Sequence, residues 1–406
     1  MVPFNGQRPA RISPLVLQTI SQRTQAGCQL ESVQLAHAVA ELSRLFTKER
    51  KSLSSQYLDD SDYAAAYLYY FMPVNLSKIQ VLLDELPAET IVGEEQAATR
   101  VLDLGSGPGT GGLAMLDWLY QRNPELTRRL SVMAVDSSGR ALQQADEIWN
   151  SYCREADIVG PTFTVCVGNL ERSVKEPWCD RAKERGPFDL IILANCLNEL
   201  FAAAVDPIAS RARLMADLLR LLKPHGTMML VEPALRETSR ALHQVRDRLL
   251  QEQHCTIYSP CLHERNCPAL VNPDDWCHEE RLWEPPAAIQ EIDQEVGFIK
   301  DALKFSYLLL RTDGRTIVSR QPDVYRVVSE LREFKGEKRA WLCHEHGRPE
   351  VGRLDRLHSP TNDAFDQWHR GAIIRISEIV RKERKGRESA IGRIPIDATV
   401  EIIRPI

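Results

Sequence analysis

The chain has 406 residues, 43% of them hydrophobic and 26% charged, with a net charge of −5 and a pI near 6.1. That length suits two or three units of about 100–200 residues, with enough apolar material to fold without disulfides. The longest apolar runs, such as LIILANCL and TMMLV, are too short to span a bilayer, no signal-peptide pattern is visible, and ten cysteines in such a chain point to a reducing compartment where metal binding outranks disulfides.

Residues 1–30 carry Arg8, Arg11 and Arg23 and no acid before Glu31. The composition has a trace of a mitochondrial presequence; a solvated N-terminal arm is the reading preferred. Residues 30–95 read as helices. ESVQLAHAVAELSRLF spaces Val33, Leu35, Val39, Leu42 and Leu45 mostly three or four apart, and DYAAAYLYYFMPVNLSKIQVLLDEL continues the pattern with a break expected at Pro73. Tyr63, Tyr67, Tyr69 and Tyr70 are expected in the core, with a tyrosine-lined groove as the alternative. From Thr99 apolar strands alternate with helices: RVLDLG, LSVMAVD, TFTVCVGN, FDLIILA and TMMLVEP are strands, and GLAMLDWLYQR, ALQQADEIWNSY and ASRARLMADLLRLL are helices. That alternation implies a parallel sheet covered on both faces. After RDRLLQEQ comes a cysteine-rich segment, then the strand KFSYLLLR, then short β segments such as VYRVVSELREF, KRAWLCHEHG, AIIRISEIVRK and ATVEIIRPI, which suggest a small β-rich sheet or barrel. RKERKGRE, residues 381–388, reads as a solvated charged hairpin.

The clearest chemical signal is VLDLGSGPGTGG. Asp103 ends the first strand, Gly105, Gly107 and Gly109 follow at alternate positions, and a helix begins. Glycines let a backbone turn tightly and approach a ligand, and the carboxyl end of a strand is where α/β sheets bind them. The pattern resembles motif I of class I S-adenosylmethionine methyltransferases. Gly107, Gly109 and Gly112 also satisfy the dinucleotide fingerprint. Asp103 disfavours NAD, because a carboxylate suits the ammonium group of S-adenosylmethionine and not a pyrophosphate. Asp136, closing the second strand, is a candidate acceptor for ribose hydroxyls, and Asn195, after the fourth strand, a candidate cofactor contact. No catalytic residue is assigned. ANCLNEL stands where many amino-methyltransferases carry an Asn/Asp-Pro-Pro-aromatic motif. Cys196 there reads as buried packing, and Glu199 as either a base or a helix N-terminal acid. Methyl transfer needs mainly positioning of a reactive sulfonium.

Cys261, Cys267 and Cys277 are spaced C-x5-C-x9-C, wider than zinc knuckles prefer. A proline directly after Cys267 occurs in iron–sulfur motifs, and Cys255, His263, His278 and Cys343 are candidates for a fourth ligand. DLGSGPGTGG, LVEP, SPCLHERNCP, DWCHEERLW and KFSYLLLR together resemble the methyltransferase-like proteins of the mitochondrial ribosomal small subunit and their bacterial relatives, over most of residues 30–350. The resemblance implies a 4Fe–4S cluster on Cys261, Cys267, Cys277 and Cys343, with zinc as the alternative. It also implies S-adenosylmethionine as cofactor and a role in rRNA methylation or in small-subunit assembly and translation.

The expected architecture is therefore α/β. It comprises an N-terminal helical region (1–96), a Rossmann-like class I methyltransferase domain (97–310) that includes the cysteine-rich segment 255–280, and a β-rich C-terminal region (311–406) that contributes Cys343. That last region holds 20 Lys and Arg against 15 Asp and Glu, and the rest 31 against 41. A basic end on an acidic body points to an anionic partner, here the ribosomal small subunit and its rRNA; no membrane and no DNA are expected. The bacterial cytoplasm is expected ahead of the mitochondrial matrix.

Overall fold

The structure is a computed structural model that describes residues 9–27, 32–53, 57–91, 98–172, 176–384 and 386–405. Continuous apolar runs become the strands β1 (Thr99–Leu104), β2 (Leu130–Asp136), β3 (Thr162–Val167), β4 (Phe188–Ala194) and β5 (Leu222–Pro233), all parallel. Three more strands complete the sheet: β6 (Thr256–Ser259), β7 (Glu279–Leu282) and β8 (Ala302–Arg311). The order is β3-β2-β1-β4-β5-β8-β6, with β7 also on β8, and β8 runs antiparallel to β5. This is the Rossmann-like class I sheet expected. β6 and β7 divide the outer edge of β8 between them, so the cysteine-rich segment is the excursion that joins them.

Alternate residues of each strand face opposite layers. Val101, Ile192 and Val231 pack with the N-terminal helices and the helix Thr110–Arg122. Leu102, Ile191 and Leu230 pack with the helices Pro207–Leu219 and Arg236–Gln251. No described helix is long and apolar enough to cross a membrane.

Two expectations are corrected at the N-terminal end. Residues 14–27 are not a solvated arm but the helix Pro14–Gly27, with Val16 and Ile20 buried against the core and the Ser13 hydroxyl donating to Asp117 at 2.6 Å. Val16 and Ile20 lie four residues apart on one helical face, and Ile12, just before the helix, is buried with them. Residues 1–8 and 28–31 lie outside the described residues, Arg8 among them. Pro73 does not break its helix. Ser61–Ala66 runs through a π-helical turn, Tyr67–Phe71, into Met72–Leu83 with Pro73 in the first turn. The wider turn accommodates a residue without an N–H and relieves the clash of its ring. Tyr70 is fully buried with its hydroxyl on Asp293, and Tyr63, Tyr67 and Tyr69 pack partly buried against the same core.

The β-rich region forms a second sheet. Its strands are β9 (Val324–Val327), β10 (Arg332–Phe334), β11 (Glu337–Cys343), β12 (Glu350–Leu354) and β13 (Ile373–Ile376), then the hairpin β14–β15 (Glu383–Arg384, Arg387–Glu388), β16 (Ile391–Arg393) and β17 (Val400–Arg404). The order is β16-β12-β11-β9-β13-β17, with β10 on β11 and the hairpin separate. Lys385, inside the hairpin foreseen at 381–388, lies outside the described residues.

Four buried charges join the two sheets and the N-terminal helices. Arg326 of β9 donates to Glu279 at 2.7 Å and to the Tyr307 hydroxyl at 2.9 Å. Arg281 meets Glu279 at 3.1 Å and Glu85 at 2.7 Å, and Ser259 and Tyr307 also donate to Glu85. Two guanidiniums and two carboxylates make the group neutral. Removing one partner leaves an uncompensated buried charge, which costs about 3–5 kcal/mol. Arg326→Ala should therefore destabilise the protein by about that amount, seen as a lowered thermal unfolding midpoint, whereas Arg375→Ala on an exposed pair should change it by less than about 1 kcal/mol.

Candidate functional site

The glycine loop sits where the expectation put it, between β1 and the helix Thr110–Arg122. Gly105, Gly107 and Gly109 have φ of +65°, +53° and +85°, in the left-handed region. A Cβ on Gly105 would stand 2.5 Å from that of Cys196. Asp103 is buried and accepts from the Ser106 hydroxyl at 2.8 Å and the Gly112 amide at 3.0 Å. It therefore occupies the first-turn amide that a pyrophosphate would need, which argues against the dinucleotide reading. Gly111, which the sequence reading left out, is where a Cβ would come 2.5 Å from the Asp103 carboxylate. Burial pushes the Asp103 carboxyl up to about 6; the Ser106 and Gly112 hydrogen bonds oppose this and the charge of Asp136 adds to it.

Asp136 accepts from the Gly107 amide at 2.8 Å and the Ser138 amide at 2.9 Å, which ties the end of β2 to the loop; burial raises its carboxyl. Asn195 follows β4 with φ +60°, a conformation asparagine tolerates, and its amide donates to Val231 at 2.7 Å. Asp103, Asp136, Asn195 and the three glycines are thus brought to one edge of the sheet. The N-terminal region adds walls the sequence did not announce. Leu58 lies against Gly107, Asp59 accepts from the Ser138 hydroxyl at 2.9 Å, and Arg50 reaches Asn198.

The segment after β4 is internally satisfied. Arg211 donates to the carbonyls of Asn198 and Leu200, and the Cys196 thiol lies 3.3 Å from the Leu104 carbonyl. Burial and the neighbouring carboxylates, Glu232 foremost, push the Cys196 thiol well up, which fits packing and not nucleophilic attack. Glu199 is not a helix N-terminal acid: it lies in a turn and the next helix starts at Pro207. The residue is exposed. Desolvation by the surrounding protein raises its carboxyl, Arg50 opposes this and the charge of Asp136 adds to it. Glu232, buried at the end of β5, is pushed up to about 7 by burial and has one carboxylate oxygen without a partner.

The second site is the cysteine pocket. Cys261, Cys277 and Cys343 line one small space of about 30 Å³ together with His243. Cys267 is close enough to Cys261 and Cys343 for the charges to interact. So residues 82 positions apart in sequence at the extremes converge on one region, and the nine described cysteines are all free. Cys255, passed over as a ligand, does not line this space. Among the described residues no three His, Cys, Asp or Glu side chains meet at a point that could hold a single metal ion. Burial raises the Cys261 and Cys343 thiols, and the neighbouring cysteine charges add to this. Burial would raise Cys277, but His243 beside it outweighs that and lowers it, and Arg246 and Arg348 add positive charge. His243 Nδ1 and Arg246 Nε are buried without partners.

The helix Arg236–Gln251 builds this pocket, and the sequence reading missed that role. Arg240, His243, Arg246 and Asp247 recur at three- and four-residue spacing on one face. Arg240 donates to the carbonyls of Ala269, Leu270, Asn272 and Asp275, and Arg246 to those of His263 and Arg265. Asp247 accepts the Cys267 amide at 2.9 Å. Buried basic residues on an otherwise core-facing stripe were the available signal.

A parallel sheet with one inserted antiparallel strand, and an acid–glycine loop at its carboxyl edge, define the class I methyltransferase fold. The family described as mitochondrial small ribosomal subunit Rsm22 matches residues 61–351, and the chain belongs to it. No curated protein matches significantly. Solved structures similar to it include the plantazolicin methyltransferase BamL with a triazolic desmethylPZN analog and SAH (15% identity, TM-score 0.33, 69% of this chain and 98% of that one). Others are an O-methyltransferase family protein from Burkholderia thailandensis (15%, 0.32, 75% and 72%) and the small RNA methyltransferase HEN1 (14%, 0.34, 61% and 27%).

Gly111→Ala forces a methyl group onto the Asp103 carboxylate, whereas a Cβ at Gly107 meets only Leu58 at 3.6 Å. Gly107→Ala should cost about 1–3 kcal/mol of backbone strain, and Gly111→Ala should lower the calorimetric melting temperature further.

Proposed function

We propose that the protein binds S-adenosylmethionine at the Asp103–Gly109 loop and acts as a methyltransferase-like protein on or with the ribosomal small subunit. The observation that carries this reading is the loop itself: within a chain of the Rsm22 family, Asp103 and Asp136 bracket three left-handed glycines at the carboxyl edge of β1 and β2. In it Asp103 faces the cofactor's ammonium group, Asp136 the ribose hydroxyls and Asn195 the wall beside them. The cofactor, when bound, supplies a methyl group on a sulfonium. The SAH in the BamL structure is in keeping with this. The basic C-terminal region is proposed to contact rRNA, so that binding weakens with salt. We retain the division into helical (1–96), methyltransferase (97–310) and β-rich (311–406) parts, and a bacterial cytoplasmic setting, as part of the proposal.

A 4Fe–4S cluster on Cys261, Cys267, Cys277 and Cys343 is the second element. Cys261, Cys277 and Cys343 line one space and Cys267 lies near it, whereas among the described residues no donors converge on one point as a single tetrahedral zinc requires. The buried cations and the unpartnered His243 Nδ1 and Arg246 Nε fit a group of net negative charge. When bound, the cluster ties the first sheet to the second.

A second reading has its own support. Two of the four polar side chains of residues 195–200, Cys196 and Asn198, are spent on the Leu104 carbonyl and Arg50, which leaves Asn195 and Glu199 to hold a substrate. This favours a non-catalytic assembly factor that keeps the fold as a platform. Incubation with labelled S-adenosylmethionine and small-subunit precursors separates the two: label in RNA or protein supports the enzyme, and ribosome co-sedimentation without label supports the platform.

Calorimetric titration with S-adenosylmethionine tests the cofactor. Asp103 is neutral below about pH 6 and charged above it. Affinity for the cationic ligand should therefore fall as pH drops from 7.5 to 5, and Asp103→Asn should bind weakly at both. Glu199, Glu232 and Asp136 face the same site, so a pH dependence that persists in Asp103→Asn would assign it to them. Anaerobic purification should yield a brown protein with about four irons per chain; a colourless protein with one zinc would overturn the cluster.

A further inference from the structure

Two tyrosines of the N-terminal region stand at the edge that carries the glycine loop. Tyr57 immediately precedes Leu58 and Asp59, which rest on Gly107 and Ser138. Tyr67 opens the π-helical turn, a departure from the regular helix that recurs at functional sites. The two ring centroids lie 6.4 Å apart. Phe46 packs edge-on against Tyr57 at 5.4 Å, and Phe71 lies 6.2 Å from Tyr67. Both tyrosines are only partly buried. Burial pushes the Tyr57 hydroxyl well up, and the charges of Tyr67, Glu199 and Asp136 add to it. Burial also raises Tyr67; Thr110 and Asn75 oppose this, and the charges of Glu199 and Asp103 add to it. The rings thus stand within electrostatic reach of three carboxylates, which follow β1, β2 and β4. Among the described residues no arginine or lysine lies over either ring, whereas Lys300, Arg311 and Arg326 lie over Tyr70, Tyr258 and Tyr307. The nearby guanidiniums are engaged elsewhere, Arg50 on Asn198 and Arg211 on the carbonyls of Asn198 and Leu200. Thr110, beside Tyr67 at the start of the helix after the loop, has its hydroxyl buried without a partner at hydrogen-bond geometry.

We infer that Tyr57 and Tyr67 form a wall that reads positive charge, so that the site holds S-adenosylmethionine by its sulfonium and holds the uncharged S-adenosylhomocysteine less tightly. The inference rests on the cofactor reading given above and adds to it the residues that set the preference. A sulfonium has no hydrogen to donate, so a carboxylate cannot bind it as it binds an ammonium group. An aromatic face attracts such a cation through the ring quadrupole, as it does a quaternary ammonium, and does so more strongly where water is excluded. The carboxylates beside the rings add attraction at longer range. The two ligands share their ammonium, carboxylate and ribose groups, so what Asp103 and Asp136 contribute to those groups cancels between them.

The test is calorimetric titration of the full chain with S-adenosylmethionine and with S-adenosylhomocysteine at one pH, read as the ratio of the two dissociation constants. The wild type should favour S-adenosylmethionine. Tyr57→Leu and Tyr67→Leu keep an apolar contact for the methyl group but remove the ring, and each should lower that preference by about five- to thirtyfold. Tyr57→Phe and Tyr67→Phe keep the ring and should stay within about twofold of the wild type. The two positions lie on separate elements, so a variant that fails to fold leaves the other to decide. A purely structural role weakens both ligands alike and leaves the ratio unchanged, and that result in the folded Leu variants overturns the inference. A wild type that binds the two ligands equally, or Phe variants that lose as much preference as the Leu variants, overturns it too. A wild type that binds neither ligand removes the cofactor reading, and this inference with it.

Discussion

Everything in this molecule is arranged around four charges taken out of water. Glu85 comes from the end of the N-terminal helical region, Glu279 and Arg281 from β7, and Arg326 from β9 of the second sheet. None of these carriers can move without leaving a neighbour unneutralised in the interior, where the cost is largest. The network specifies how the two sheets and the helices meet more than it adds to stability. Arg370 reinforces it from the second sheet, donating to the Val328 carbonyl and pairing with Glu280. The cysteine pocket lies directly beside this junction, and Glu279, Tyr307 and Arg326 line its wall.

The parallel strands were legible because burial on both faces leaves no room for polar residues: LIILA and VMAV can hardly be anything else. The glycine loop was legible because a carboxylate and three glycines at alternate positions answer a specific need for backbone approach. The grouping of the cysteines was legible mainly through family resemblance, since nothing local connects Cys343 to Cys261. Other features were not. The helix Pro14–Gly27 was hidden by a composition that looks like an arm, although Val16 and Ile20 carried its period. Arg240, His243 and Arg246 were passed over, because a buried basic residue becomes intelligible only once its carbonyl partners are in place. Pro73 misled for the converse reason: a local rule about proline holds only for a regular helix, and the π turn departs from it.

The two sites share one stretch of backbone. Glu232 ends β5 within the cofactor edge, and the Thr238 hydroxyl returns to the Pro233 carbonyl at 2.5 Å to start the helix that clamps the cysteine excursion. Fewer than ten residues separate Glu232 from Arg240. The helix that clamps the cysteine excursion therefore starts from the strand end that carries Glu232.

The placement of Arg326 and Cys343 in one sheet has a bearing on inheritance. A gene truncated ahead of β9 would lose a guanidinium and a thiol together, leaving two buried carboxylates to one arginine and a three-cornered pocket. Such a shortened chain would be exposed to proteolysis before it could be put to use. The second sheet is thus unlike an appended module that lineages can shed or swap, and descent is expected to carry it along with the first.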